Sequence, residues 1–428
     1  MRIEAGMELY IHIPFCVKKC GYCDFLSFPA ECGTQDKYVE ALVREIRSFS
    51  GMEQSVSSIY IGGGTPSLIP AERITEIMHA VRETFHVEPD AEISMEANPG
   101  TVQPGSLSEY RRAGINRLSL GCQSADDGEL KRLGRIHTFQ MFRESFAYAR
   151  EAGFSNINID LMSGLPGQTE ESWEKSLRRI AEAGPEHISA YSLIIEEGTP
   201  FYEKYYEISG MIAEGDTDAH VRKLEEEQYH LRASELLPGE ETERRMYERT
   251  EEILAGYGFR RYEISNYARI GRECRHNVGY WTGIPYLGLG LGASSYTGYL
   301  RFRNTDDIET YLQAHDEPMS DGRIKMLYSG GHLSVEKIED ILSESGREEP
   351  EYLGKGDRMA EFMILGLRMT SGINEEEFRC RFGEDVIEVY GSTIRKYEDA
   401  GLLREERGNL FLTRRGLSLS NTVMTDFL

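Results

Sequence analysis

The sequence predicts an α/β fold: a partial (β/α)6 barrel followed by a small C-terminal domain of winged-helix-like pattern. Three observations carry this. Short β-rich runs alternate six times with longer amphipathic stretches in the first half of the chain. The polar and glycine-rich residues cluster just past the ends of those runs. The tail then changes character, to helical stretches ending in a hairpin-like segment.

Strands are expected at 9–13, 58–61, 92–95, 117–120, 157–161 and 188–193. Helices are expected between them at 36–49, 71–85, 128–133, 139–152 and 170–183. Serial β–α repeats make parallel strands with right-handed crossovers. In such a barrel the residues after each strand open onto one face, where ligands bind. The charged stretch beyond residue 202 reads as helix at 217–237 and 240–257. Leu287-Gly288-Leu289-Gly290-Leu291-Gly292 lacks a P-loop lysine and an intact dinucleotide fingerprint, so it reads as tight backbone packing. The tail predicts helices at 358–369, 375–381 and 385–400 and a wing at 404–412. The expected units are therefore 1–205 (barrel), 206–350 (helical insertion) and 351–428 (C-terminal domain).

A chain of 428 residues has room for a barrel and a smaller unit. Its net charge of −24 argues against nucleic acid as the main partner, since phosphate binding needs clustered Lys and Arg. Residues 1–10 hold no apolar run, and no later stretch reaches membrane-spanning length, so a cytoplasmic location is expected. Of the seven cysteines, three crowd between 16 and 23, whereas Cys32, Cys122, Cys274 and Cys380 are scattered. That is not a disulfide framework.

Cys16-Val17-Lys18-Lys19-Cys20-Gly21-Tyr22-Cys23 carries the strongest chemical signal. Thiolates ligate iron–sulfur clusters. Three of them would hold three irons of a [4Fe–4S] cube and leave the fourth iron open to an outside ligand. Zinc is the alternative metal, but it normally wants four protein ligands and no fourth lies nearby.

The segment Tyr10-Ile11-His12-Ile13-Pro14-Phe15-Cys16 with the cysteines after it resembles the radical S-adenosylmethionine (SAM) family, in its coproporphyrinogen-oxidase-like branch. Gly62–Ser67, Glu96–Gly100, Gly121–Ser124, Gly134–His137 and Asp160–Thr169 resemble that branch in order and spacing. The resemblance implies a radical SAM barrel with a [4Fe–4S] cluster on Cys16, Cys20 and Cys23 and SAM on the open iron. It implies SAM contacts at Tyr10, Gly63, Gly64, Thr65, Glu96, Gln123, Arg135 and Asp160. Arg135 suits a carboxylate through its forked donors. Each has a plainer explanation, such as a helix cap for Glu96 or Asp160, or a surface ion pair for Arg135.

Two kinds of protein in this branch compete. One is the enzyme, oxygen-independent coproporphyrinogen III oxidase, which decarboxylates a porphyrinogen oxidatively. The other is a heme chaperone, which binds heme and hands it to acceptor proteins. Phe25 stands where the oxidase carries a further cysteine, only about nine residues precede the first strand, and Arg275-His276-Asn277-Val278-Gly279-Tyr280-Trp281 resembles a His-Asn-x-x-Tyr-Trp motif of the chaperone group. The chaperone is therefore expected, with heme as a further cofactor and heme-acceptor proteins, including membrane respiratory proteins contacted peripherally, as partners. His276 would ligate iron, Asn277 would belong to the same site, and Tyr280 and Trp281 would stack on the macrocycle. The plainer reading makes His276 a hydrogen-bonded core histidine. Cys274 is a further candidate ligand, and His137 is expected to be structural. Ser294 stands where many relatives have histidine, so no role of that histidine carries over. A radical enzyme that opens or methylates a tetrapyrrole is the third alternative.

Overall fold

The computed structural model describes residues 6–205, 236–316, 324–328 and 333–428. The helix expected at 217–237 lies almost wholly outside the described residues.

The six expected strands are present and somewhat longer: β1 (Met7–Ile13), β2 (Ser55–Gly63), β3 (His86–Ala97), β4 (Arg117–Gln123), β5 (Ile157–Ser163) and β6 (His187–Ser192). They pair in sequence order and all parallel. Side chains alternate along each strand. One parity is apolar and fully buried under the helices, as in Leu9, Ile11, Ile59, Leu118, Ile159 and Ile188. The other is polar and faces the lumen. In register across the sheet, Tyr10 lies beside Tyr60, Tyr60 beside Ser94, Ser94 beside Arg117, and Asn158 beside His187.

The crossover helices are α1 (Cys32–Ser48), α2 (Ala71–Thr84), α3 (Pro104–Ala113), α4 (Asp127–Arg132), α5 (Phe139–Glu151) and α6 (Glu170–Ala183). α6 starts at a Thr169–Ser172 capping box and ends at Gly184 in the left-handed region (φ 76°). Trp173 on α6 is buried and donates from Nε1 to Thr250 Oγ1 of the helix Glu240–Gly256 at 2.9 Å.

The sheet does not stop at six strands. The glycine-rich segment forms Tyr286–Leu289, which runs parallel to β1, and three antiparallel strands continue from it: Ser294–Tyr296, Leu300–Asn304 and Arg347–Tyr352. At the other edge Asn266–Ala268 pairs antiparallel with β6, and Arg260–Arg261 follows. Among the described residues the sheet has twelve strands, in an open order. The tight-packing expectation is met inside that strand extension: a Cβ on Gly290 (φ 95°) would sit 2.5 Å from the Tyr38 hydroxyl. The wholly buried Glu45 pins α1 to the extension, accepting from Arg347 (2.9 Å), Asn304, Tyr311 and the Gly290 amide.

The C-terminal unit has its own core around Met363, Leu367, Phe378, Phe382, Leu410 and Val423. Three helices, Lys355–Gly366, Glu375–Phe382 and Val386–Asp399, precede a hairpin of Leu403–Glu406 and Asn409–Leu412. Arg407 and Gly408 both take positive φ (58° and 76°), as a two-residue hairpin turn requires. Ile373–Asn374 adds a third strand, and two short helices, Arg414–Ser418 and Ser420–Thr425, follow the wing. Among the described residues no helix is long and apolar enough to cross a membrane.

Candidate functional site

The C-terminal ends of β1–β6 surround a cavity of about 260 Å³, lined by Cys16, Cys20 and Cys23 above and by Gly63, Gly64, Thr65, Glu96, Gln123, Arg135 and Asp160 below. Residues far apart in sequence thus converge, as the barrel argument requires.

The cysteine loop follows β1 and is clipped at its base. Phe28 donates its amide to the Pro14 carbonyl (2.9 Å), and Cys16 donates to the Phe28 carbonyl (3.1 Å). His12 Nε2 donates to the Leu26 carbonyl (2.8 Å), which leaves Nδ1 to accept from the Tyr10 hydroxyl (3.0 Å). Gly21 donates to the Leu133 carbonyl and accepts from the Phe201 amide. Its missing side chain matters, because a Cβ there would sit 2.7 Å from the Phe201 ring. The three thiols are free and half-buried. Burial, reinforced by the neighbouring thiols Cys20 and Cys16, pushes the Cys23 thiol up. Among the described residues no three His, Cys, Asp or Glu side chains gather closely enough to chelate a single ion.

The Gly62–Thr65 turn after β2 packs against the same loop. Gly64 donates to the Ile13 carbonyl (2.9 Å) and Thr65 to the Phe15 carbonyl (2.7 Å). A Cβ on Gly64 would lie 2.7 Å from the Phe15 carbonyl oxygen, so only glycine lets the two backbones meet. Gly63, at φ 112°, donates its amide to Glu96 Oε2 (3.1 Å). Thr65 Oγ1 lies 3.4 Å from Cys16 Sγ and accepts from Asn98 Nδ2 at 2.7 Å.

Glu96 also accepts from the Tyr60 hydroxyl at 2.9 Å. Burial, then the nearby Asp160 carboxyl, raises it to about 7. Asp160 accepts from Ser119 (3.1 Å) and Asn158 (2.8 Å), and burial raises it too. Glu96 and Asp160 face one cavity, where the buried Arg117 guanidinium acts on both, and a carboxyl pair so placed suits a cationic group. Arg135 donates to Asn98 Oδ1 (2.6 Å) and the Gly121 carbonyl (2.7 Å), approaches Cys20 Sγ at 3.8 Å, and keeps a buried Nε without an acceptor. Gln123 takes a left-handed backbone (φ 64°) rare for a residue with a Cβ and accepts from Tyr191. The side chains present fit a cluster with SAM beside it: three thiols, two carboxyls, a guanidinium whose Nε has no acceptor, and a glycine cradle.

Tyr10 does not line this cavity; its ring lies below, stacked on Tyr60 at 6.4 Å. Asn98, Ser119 and Tyr191 line it and were not expected. Ser119 and Tyr191 share the lumen parity of Asp160, and Asn98 ends the Glu96-Ala97-Asn98 run, so strand alternation carried the signal for all three.

The His276 segment lies elsewhere. Its helix, Arg275–Thr282, closes the opposite end of the barrel. His276 is 1% exposed, with Nδ1 2.8 Å from Ser58 Oγ and Nε2 3.0 Å from the Tyr280 hydroxyl. Ser58 donates to Glu8 Oε1 (2.9 Å), so Nδ1 donates to Ser58 and Nε2 accepts from Tyr280. Glu8 Oε2 stands 3.8 Å from the ring. Burial raises Glu8 to about 8 and lowers His276 to about 3, so both are neutral and the contact is not an ion pair. Both imidazole nitrogens are engaged, as in the core-histidine reading, and the structure does not bring His276 to the cysteines. Cys274 is wholly buried, between Glu92 and Arg117. His137 is buried and contacts the Cys122 carbonyl at 3.2 Å. Asn277 sits in the first turn of the same helix, while Tyr280 and Trp281 face a separate cavity.

The Radical SAM superfamily model matches residues 10–180, and the HemN C-terminal domain model matches residues 353–419. The chain is 32% identical to the heme chaperone HemW of Lactococcus lactis subsp. lactis over 426 residues, covering 100% of this chain and 98% of the relative. It is 32% identical to that of Bacillus subtilis over 425 residues, 98% of each. It is 35% identical to that of Haemophilus influenzae over 433 residues, 99% of this chain and 98% of the relative. The fold is similar to that of coproporphyrinogen III oxidase (HemN) from Escherichia coli, a radical SAM enzyme, with a TM-score of 0.76 and 24% identity over 100% of this chain and 91% of that one.

Proposed function

The chain belongs to the heme chaperone HemW branch of the radical SAM family, and from that premise we propose that it binds heme and transfers it to acceptor proteins in the cytoplasm, carrying a [4Fe–4S] cluster and SAM. The carrying observation is the single cavity in which Cys16, Cys20 and Cys23 meet the unpaired carboxyls Glu96 and Asp160. The three cysteines hold the cluster. Glu96 and Asp160 take the cationic and hydroxyl groups of SAM, Arg135 its carboxylate, and Gly63 and Gly64 let it approach the backbone. When bound and reduced by an outside electron donor, the cluster would supply an electron able to break a C–S bond of SAM. Phe25 is 68% exposed and lines the cavity. It stands where the resemblance gives the oxidase a cysteine, and this favours the chaperone over the decarboxylase.

The test is an anaerobic heme titration of cluster-reconstituted protein, followed by Soret absorbance, with SAM and coproporphyrinogen incubated in parallel. Saturation near one heme per chain, with transfer to an apo-cytochrome and no porphyrinogen consumed, is the expected result. Turnover of coproporphyrinogen with release of 5′-deoxyadenosine overturns it in favour of the oxidase.

A further inference from the structure

A second cavity, of about 430 Å³, opens between the helix Arg275–Thr282 and the C-terminal unit. Its volume falls within the range of small-molecule sites, about 300–1,000 Å³. Aromatic rings face each other across it: Tyr280, Tyr286 and Tyr296 from the barrel side meet Phe362 and Phe382 from the C-terminal unit. Aromatic walls with few polar groups suit a flat, apolar ligand.

The charged groups in the lining are mainly guanidinium. Arg301, Arg358 and Arg381 reach the cavity against a single lining carboxylate, Glu361, which is already held by Arg301 at 2.5 Å. Arg358 donates from Nε to the Gly354 carbonyl (3.3 Å) and forms no ion pair among the described residues. Arg381 donates to the Thr282 carbonyl (3.0 Å) and Glu377 (2.9 Å), and its guanidinium lies 5.2 Å from the centre of the Phe362 ring. Arg301 is also held by Glu351 (3.4 Å), so among the described residues Arg358 is the lining guanidinium with no carboxylate partner, and it is placed to meet an anionic group at this cavity. Trp281 Nε1 is buried beside it and donates to nothing.

We propose that this cavity seats a flat apolar dicarboxylate of the porphyrin class, its faces against the tyrosine and phenylalanine rings and its carboxylates on Arg358 and Arg381. The inference rests on the heme-carrier reading for its ligand, and adds that the C-terminal unit supplies half of the seat. Recognition is through the ring face and carboxylates, not through iron, because His276 behind Tyr280 has both nitrogens engaged.

The test is a set of absorbance titrations of the full chain with heme, metal-free protoporphyrin IX and its dimethyl ester. Two variants run alongside: Arg358→Ala/Arg381→Ala, which removes one half-buried and one exposed charge, and Leu365→Trp, which fills the cavity. Thermal melts check that both fold. Heme and protoporphyrin are expected to bind alike, the ester and both variants about tenfold or more weaker. Heme bound equally well by wild type and both folded variants overturns this site and leaves the carrier reading standing. Heme bound without protoporphyrin shows recognition through iron and also overturns the site alone. No saturable binding of either by the wild type overturns the site and the carrier reading together.

Discussion

The ring of Tyr60 stacks on His276, centroid to centroid 5.2 Å and 25° from parallel, while its hydroxyl donates to Glu96 at 2.9 Å. One side chain therefore spans the lumen between the cysteine cavity and the helix that closes the other end. The contact continues outward: His276 meets Tyr280 at 4.7 Å, and Tyr280 meets Tyr286 at 4.7 Å, both on the wall of the second cavity. The lumen is thus a continuous aromatic and hydrogen-bonded column rather than two separate sites in one shell.

His276 is a structural centre of that column. Truncating it to alanine leaves a void and strips partners from Ser58 and Tyr280. The expected cost is about 2–4 kcal/mol of stability in urea unfolding, from a cavity plus unsatisfied polar groups. The folded fraction, measured at low temperature, should bind heme with unchanged affinity. A stable His276→Ala protein with no Soret band would instead make the imidazole an iron ligand.

Glu8 sets a pH dependence at the barrel base. Burial holds its carboxyl at about 8, against an ordinary value near 4.5, so between those values the folded chain binds a proton that the unfolded chain has lost. Stability then falls as pH rises through that window. Between pH 6.5 and 8 the loss from Glu8 should be about 2 kcal/mol, and Glu8→Gln should remove that share and leave the smaller one from Glu96, whose carboxyl is raised to about 7. His276, lowered to about 3, acts mainly below 6.5, where the unfolded ring takes a proton the folded one refuses; above 6.5 its remaining effect is small and of opposite sign, a slight gain of stability with pH. Urea midpoints at the two pH values decide the matter; an equal slope in the variant removes Glu8 as the cause.

The barrel was legible because its strands largely alternate between β-branched or long apolar residues and polar ones, and because glycines and cysteines mark their ends. The strand Tyr286–Leu289 was not legible: Gly288 lowers its β-propensity, and its pairing with β1 is a contact across almost the whole chain. The same limit governs the site. Cys16, Cys20, Cys23, Gly63 and Gly64 announce themselves by spacing. Asn98, Ser119 and Tyr191 needed the parity of each strand to be followed to its end. The His276 motif names residues but not the end of the barrel they occupy, because that position is set by Ser58, Glu8 and Glu92, far away in sequence.

Gly64 provides a steric test of the cysteine loop. A methyl group there meets the Phe15 carbonyl oxygen at 2.7 Å and its amide at 2.9 Å, and backbone cannot swing aside as a side chain does. Gly64→Ala should cost about 1–3 kcal/mol and displace the loop, lowering iron and sulfide per chain after reconstitution. Gly33→Ala, at an exposed position with nothing within 4 Å, is the control and should reconstitute fully. Full cluster content in Gly64→Ala would show that the loop does not depend on this approach.

Glu96 should impose its own pH profile on SAM binding. Its carboxyl titrates near 7, and only the charged form attracts a cationic amino group. SAM affinity should therefore rise with pH and level off above about 7. Falling pH protonates Glu96 and removes the attraction. The Tyr60 hydroxyl stabilises the carboxylate, so Tyr60→Phe should move the midpoint to higher pH and weaken binding at neutral pH by about three- to tenfold, the worth of one hydrogen bond to a charged group. Glu96→Gln should flatten the profile, because the remaining amide accepts a hydrogen bond without titrating. Isothermal titration of reconstituted protein with SAM between pH 6 and 8.5 makes the comparison. A profile that stays unchanged in both variants would assign the recognition of the amino group to Asp160 instead.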